Sequence, residues 1–434
     1  MIGPQDDDAQ RAHVTARRVT LGAATILLAL LARLAYVQMF SVFARYDDEG
    51  YMMLTVHHAL AGHRLYDDVW TLYGPVYFLY KWLVHGLLGL PLTHDIVRLT
   101  AIGVRLLSGV LAAFAAWRLT RSTALTVATL ALVTHHLAAI NNEPGHPQEL
   151  CGLLAMALLA LPAVTGDRWR SRLPVALGFV VAALTMTKVN IGIFAGLAVW
   201  MALLEELPAA RARLTLRCAS VAALAALPWA LTRPLLDLPQ ARHFATMETL
   251  AIVAMATTAF TRQGGSARPR ALIAFVTAWA SGVALAVLVL GLLGSSAAAV
   301  LDSLVVGPAR LPTMFIFMPP SLFPAALPAA AGAALACAVR ATATTRLGPH
   351  VVGLCQLALG AITLLGAWSG DRSPLLISGV TPFLWLGLLT PPGVPEGAGL
   401  RRARLLLCWL AVLLPLQAFP VAGSQVSFGT VLHI

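Results

Sequence analysis

Long apolar runs separated by short polar breaks occupy the chain from residue 19 to residue 421. They lie at roughly 19–43, 97–117, 123–140, 149–165, 173–187, 190–204, 216–232, 245–260, 271–293, 320–339, 350–367, 374–391 and 404–421. None shows the strict alternation of a half-buried strand, and a helix needs about 20 apolar residues to cross a bilayer. The pattern predicts an all-α fold: a polytopic helical membrane protein of about 13 transmembrane helices. The pair 173–187 and 190–204 reads either as two short spans or as one broken, re-entrant segment. The first run is too long for a cleaved leader and has no small-residue cleavage site, so it reads as a retained signal anchor.

Residues 44–95 separate the first two runs and make the longest connection on the chain. Within it, YMMLTVHHALAG and YGPVYFLYKWLVHGLLG have the amphipathic pattern of helices lying at the membrane interface, with Tyr and Trp suited to headgroup depth.

Composition sharpens this picture. Of 434 residues, 59% are hydrophobic and 11% charged, against roughly 25% charged in a soluble domain. That excludes a large soluble enzyme domain, a disordered chain and a collagen-like repeat. The net charge of +11 would suit a nucleic-acid binder, but the charges sort by side. With the N-terminus in the cytoplasm, 19 of the 28 arginines fall on the inner side: in the tail, RLTR, GDRWRSR, RARLTLR, TRQGGSARPR, the Arg340–Arg346 stretch and RRAR. This positive-inside bias records orientation and removes the case for nucleic acid. The organisation expected is a cytoplasmic tail (1–18), a first membrane module (19–205) carrying the external loop 44–95, further transmembrane helices (206–421) and a short external tail (422–434). Five cysteines without C-x-x-C spacing make neither a disulfide framework nor a zinc site.

The charges left on the outer face are the candidate chemistry. Asp47, Asp48 and Glu49 follow the first span directly; adjacent carboxylates repel, so one of them suits a general base and two together suit a cation. The same acids at a helix start have an ordinary structural role. Glu143, His146 and Glu149 sit in the turn NNEPGHPQE, which is equally readable as a capped helix entry. Lys188, one of two lysines in the chain, lies between apolar runs, where an ammonium needs a cavity or an anion such as phosphate. Snorkelling to the interface is its alternative, and the ordinary role for Lys81 on an interfacial helix. Arg98 and Arg105, inside the second span, need partners. No cofactor is demanded; a divalent cation, magnesium or manganese, is a candidate, with Asp48, His146 and Glu149 as its ligands.

The order Asp-Glu-x-Tyr after the first span, LYDD-x4-YGP-x-YF-x3-W, a second acidic motif 101 positions beyond Asp48, and the tripeptide Met186-Thr187-Lys188 resembles the C-type superfamily of polytopic membrane glycosyltransferases. The branch it is most similar to is that of the protein mannosyltransferases and lipid A aminoarabinose transferases, over roughly residues 19–205. The resemblance implies transfer of a sugar, with inversion, from a polyprenyl-phosphate donor to a lipid-linked or glycan acceptor on the non-cytoplasmic face. It implies the inner membrane of a bacterium, and membrane lipids as partners. It assigns Asp48 as the base that deprotonates the acceptor, with Asp47 and Glu49 tuning it. Glu149, with Glu143 and His146, falls on the second acidic site, and Lys188 with Arg105 would hold the carrier phosphate. The alternative is a secondary transporter or flippase of a lipid-linked or small substrate, which calls for charged groups near the membrane midplane.

Overall fold

Local chemistry sets the ends of the main helices. Thr93 and Ser122 each accept a hydrogen bond from the backbone N–H three residues on (Ile96 and Leu125), covering donors that a helix start leaves unpaired. Pro147 opens another helix, at a position where its missing N–H does no harm. The computed structural model describes residues 4–42, 48–164, 171–208, 211–260, 269–310, 326–342, 348–369, 374–389, 397–418 and 423–434.

In chain order the α-helices are α1 (Pro4–Phe40), α2 (Asp48–Leu60), α3 (Pro75–Lys81), α4 (His94–Thr120), α5 (Thr123–Ala138) and α6 (Pro147–Val164). Next come α7 (Leu173–Thr185), α8 (Val189–Glu205), α9 (Arg211–Thr232), α10 (Pro239–Phe260) and α11 (Arg270–Leu292). The rest are α12 (Ala297–Leu301), α13 (Gly307–Arg310), α14 (Ala326–Thr342), α15 (Gly348–Trp368), α16 (Ala398–Leu413) and α17 (Gln425–Thr430). Among the described residues there is no strand, so the fold is all-α.

Among the described residues, six stretches are long and apolar enough to cross a membrane: Gly22–Phe40, His94–Thr120, Pro147–Val164, Arg213–Leu235, Arg270–Leu292 and His350–Trp368. Thr123–Ala138, Leu173–Thr185, Val189–Glu205, Leu327–Val339 and Leu375–Leu388 are apolar but shorter. The stretch expected as one span over 374–391 is an apolar helical segment, Leu375–Leu388, that is not a regular α-helix: a wide π-helical part, Leu375–Val380, runs into a tighter 3-10 part, Thr381–Leu388. Pro382 sits inside it, and proline cannot continue an α-helical hydrogen-bond ladder. Residues 173–204 are two helices, α7 and α8, which pack on each other across the turn at 186–188. Both segments read as interfacial helices are helical, as α2 and as α3 with the wide turn Trp82–Leu87.

The core joins α4–α10, α16 and the last residues of the chain. The closest helix pairings are α7 with α11, α4 with α5 and α6, α10 with α9 and α14, and α16 with α8. The C-terminal residues, expected as a short external tail, pack into the bundle. Val426 and Ser427 are fully buried, and the His433 ring lies between the Leu376 and Ala411 carbonyls at 3.0 and 2.9 Å. The segment VSFGTVLHI is too short to read as a span yet apolar enough to bury.

Charge collects at the two ends of α8. Glu205 at its C-terminus pairs with Arg213 (3.6 Å) and Arg217, and Glu206 pairs with Arg402. Lys188 precedes its N-terminus, about 25 Å away at the usual helical rise.

Candidate functional site

Two buried ion pairs frame the Lys188 end of the bundle, and both begin on α4. Arg98 and Arg105 are seven residues apart, two turns along one face. Arg98 donates through Nε to Glu49 Oε1 (3.0 Å) and through Nη2 to Oε2 (2.8 Å), while its Nη1 donates to the Met39 carbonyl (2.9 Å). His94 Nδ1 reaches the same carboxylate at 3.1 Å. One side chain thereby ties α1, α2 and α4 together. Arg105 donates to Glu149 Oε1 through Nη2 (2.6 Å) and Nε (3.1 Å), and to the Leu137 carbonyl through Nη1 (3.0 Å). That joins α4, α5 and α6. The partners these arginines need are therefore Glu49 and Glu149. The Arg105 guanidinium is buried and paired with Glu149.

Lys81 lies near both pairs. It is buried, 3% exposed, with its ammonium over the rings of Tyr77 (5.6 Å) and Tyr80 (5.3 Å), an attraction that partly replaces lost water. Burial lowers its pKa to about 8, against the opposing pull of Glu149 and Glu49. The one sequence signal for this burial is its setting, YFLYKW, in which a lysine has aromatic residues before and after it.

The turn before α6 is built around Gly145. Its φ of +76° is left-handed, and a Cβ there would collide with Val97, so only glycine fits. The Gly145 carbonyl accepts from the Tyr77 hydroxyl at 2.9 Å. His146 follows, buried. The Gln148 backbone N–H donates to His146 Nδ1 (3.2 Å), so in the neutral ring Nε2 carries the proton and donates to Tyr73 Oη (2.7 Å). Burial, with Lys188 nearby, holds His146 well below its ordinary pKa and keeps it neutral. The Tyr73 proton is left to point elsewhere. Burial first, then Glu143 and Asp48, raises the Tyr73 pKa, so it stays a phenol.

Tyr73 is thus the hub to which the carboxylates are referred. Asp48, exposed in the first turn of α2, acts on both Tyr73 and Tyr51. Glu143 acts on Tyr73 and Lys188, and its carboxylate meets the Ser424 hydroxyl, which also reaches Gln148 Oε1 at 2.8 Å. Lys188 is half-buried; burial lowers its pKa to about 8, opposed by Cys151 and Glu143. Among the described residues its ammonium has no hydrogen bond or ion pair. Asp47 lies outside the described residues. His146 is thus in contact with Tyr73, Asp48 and Glu143 act on Tyr73 through space, Lys188 acts on His146, and Glu49 and Glu149 are held in separate arginine pairs. Asp48, His146 and Glu149 do not converge as metal ligands, and no other group of three His, Cys, Asp or Glu does so among the described residues. Both His146 ring nitrogens are already in use.

A backbone joint connects YGP to MTK. Gly74 N–H donates to the Thr187 carbonyl and Val76 N–H to the Met186 carbonyl, each at 2.9 Å. A Cβ on Gly74 would overlap the Met186 carbonyl. A cavity of about 860 Å³ borders this joint. Its walls are apolar and come from α3 (Val76, Leu79), α7 and the residue that caps it (Phe179, Met186) and α11 (Leu285, Val289). His63, Arg64 and Ser295 add polar groups to its lining. No family model, curated protein or solved structure matches the chain.

Proposed function

We propose that this chain is a membrane glycosyltransferase that passes a sugar from a polyprenyl-phosphate carrier to a lipid-linked or glycan acceptor. In this reading it crosses the membrane thirteen times with its N-terminus in the cytoplasm, and the Lys188 end of α8 faces away from the cytoplasm. The observation that carries the reading is the backbone joint of Gly74 and Val76 with Met186 and Thr187. It borders the apolar cavity, and two residues along from Met186 it leads to an ammonium that, among the described residues, makes no hydrogen bond or ion pair and feels Glu143 only through space. An amphiphile with a long apolar tail and one phosphate has that shape.

The chemistry follows from the groups present. The carrier tail occupies the cavity, and its phosphate meets Lys188, a point charge suited to phosphate. Asp48 takes the proton of the acceptor hydroxyl as the acceptor oxygen bonds to the anomeric carbon. The bond from that carbon to the phosphate oxygen breaks, and the electron pair leaves with the polyprenyl phosphate. Lys188 stabilises the growing charge, and the Tyr73 hydroxyl, whose proton is not used by His146, is a second donor for it. Glu49 and Glu149 hold the frame. The test is Asp48→Asn in purified protein given polyprenyl-phosphate mannose: carrier binding is retained and sugar transfer is lost. Full transfer by that variant would remove Asp48 as the base.

The transporter or flippase reading has one observation in its favour, the carboxyl of Glu248 buried inside α10. Uptake of a lipid-linked sugar into vesicles without any transfer would favour it.

A further inference from the structure

Glu248 belongs to none of the groups above. It lies nine residues into α10 (Pro239–Phe260), about 14 Å from the start of that helix and well inside it. Its neighbours at helical spacing are Ala241, Ala245, Ile252 and Met255, each 0% exposed, as is Glu248 itself. It therefore occupies the centre of the most buried stripe of α10. Among the described residues neither carboxyl oxygen has a hydrogen-bond partner.

The elements packed on α10 are α9, α14, α16 and the 3-10 segment Thr381–Leu388. Among the described residues, none of their charged side chains pairs with Glu248. The Thr249 hydroxyl donates to the Ala225 carbonyl (2.8 Å), so α9 passes α10 near residue 225. Arg217, eight residues before that, and Arg213 are committed to Glu205. Arg233 follows the end of α9, eight residues beyond. On α16, Arg402 is paired with Glu206, and Arg401 and Arg404 share its first turns. Arg340 is near the far end of α14. The Thr381–Leu388 segment has no charged residue. Arg242 and His243 are on α10 itself, near its start. Among the described residues, two neutral donors on these elements, the indole N–H groups of Trp385 and Trp409, are likewise buried without a hydrogen-bond partner.

We propose that Glu248 is a proton-binding site inside the helical bundle, occupied in the native fold, so that the side chain is a carboxylic acid at neutral pH. An ionised carboxylate with no donor and no counter-charge would be prohibitively costly in such surroundings, whereas the neutral acid costs only its unmade hydrogen bonds. The exchange is one proton between water and one carboxyl oxygen. Losing the proton puts an uncompensated charge on the face that α10 shares with the core, so ionisation works against the packing of this helix. The site rests on the geometry of α10 and not on either functional reading.

The test compares the full chain with Glu248→Gln and Glu248→Met in detergent micelles. Infrared spectra of protein carrying carbon-13 glutamate should contain a carboxylic-acid C=O band at neutral pH that both variants lack. The melting temperature of the wild type should fall by several degrees more than that of either variant between about pH 6 and about pH 9, because the native state alone retains the proton there. Identical spectra with superimposable melting curves would overturn the proposal. So would failure of both variants to fold, since a neutral side chain of similar size must be tolerated where the native group is neutral.

Discussion

Replacing Arg105 with methionine tests the frame of the site. The substitution keeps an unbranched apolar stem and removes the guanidinium, leaving Glu149 buried at 5% exposure without its cation. Breaking a buried pair from one side costs about 3–5 kcal/mol. Arg105→Met should therefore lose about 3–5 kcal/mol. Removing both charges, as Arg105→Met with Glu149→Leu, should restore most of the stability, because no buried ion remains. The assay is denaturant unfolding in micelles followed by tryptophan fluorescence. A single variant within about 1 kcal/mol of wild type would refute the argument, as would a double variant no more stable than the single one. A phosphate-binding Arg105 would instead weaken carrier binding without destabilising the fold.

Two further outcomes follow from the joint and from Lys188. Gly74→Ala forces a methyl group into the Met186 carbonyl; it should cost about 1–3 kcal/mol and abolish transfer, read by melting temperature and by product formation. Since burial sets the Lys188 pKa at about 8, affinity for an anionic carrier should fall as pH rises through that value, while Lys188→Arg should bind with no alkaline loss because arginine stays charged. The sign for stability is opposite: between about pH 8 and pH 10.4 the unfolded chain binds the extra proton, so folding is relieved of this burden as pH rises. Unfolding midpoints across that window check it.

Much of the architecture is local and was therefore readable. Apolar runs bounded by Thr93, Ser122 and Pro147 become helices because capping and the missing proline N–H act within one turn. The helicity of the two segments in the first long connection is likewise written in their periodicity. The need of Arg98 and Arg105 for partners was legible, since no apolar helix leaves a guanidinium unpaired.

The roles of the acids were not legible. Asp48 and Glu49 are adjacent in sequence, yet one is exposed and the other is locked to Arg98. Glu143 and Glu149 share one turn, yet one meets Ser424, 281 positions away, and the other Arg105. A helix turns by about 100° per residue, so neighbours face different surroundings, and the cation that settles each role arrives from a distant segment. Lys81 and Glu248 carry the same lesson: their burial depends on which helices pack over them. The sequence alone determined where helices start and stop, how apolar they are, and that a few charges had to be compensated. Only the tertiary structure decided which charge compensates which, because pairing is a property of packed surfaces and has no period along the chain.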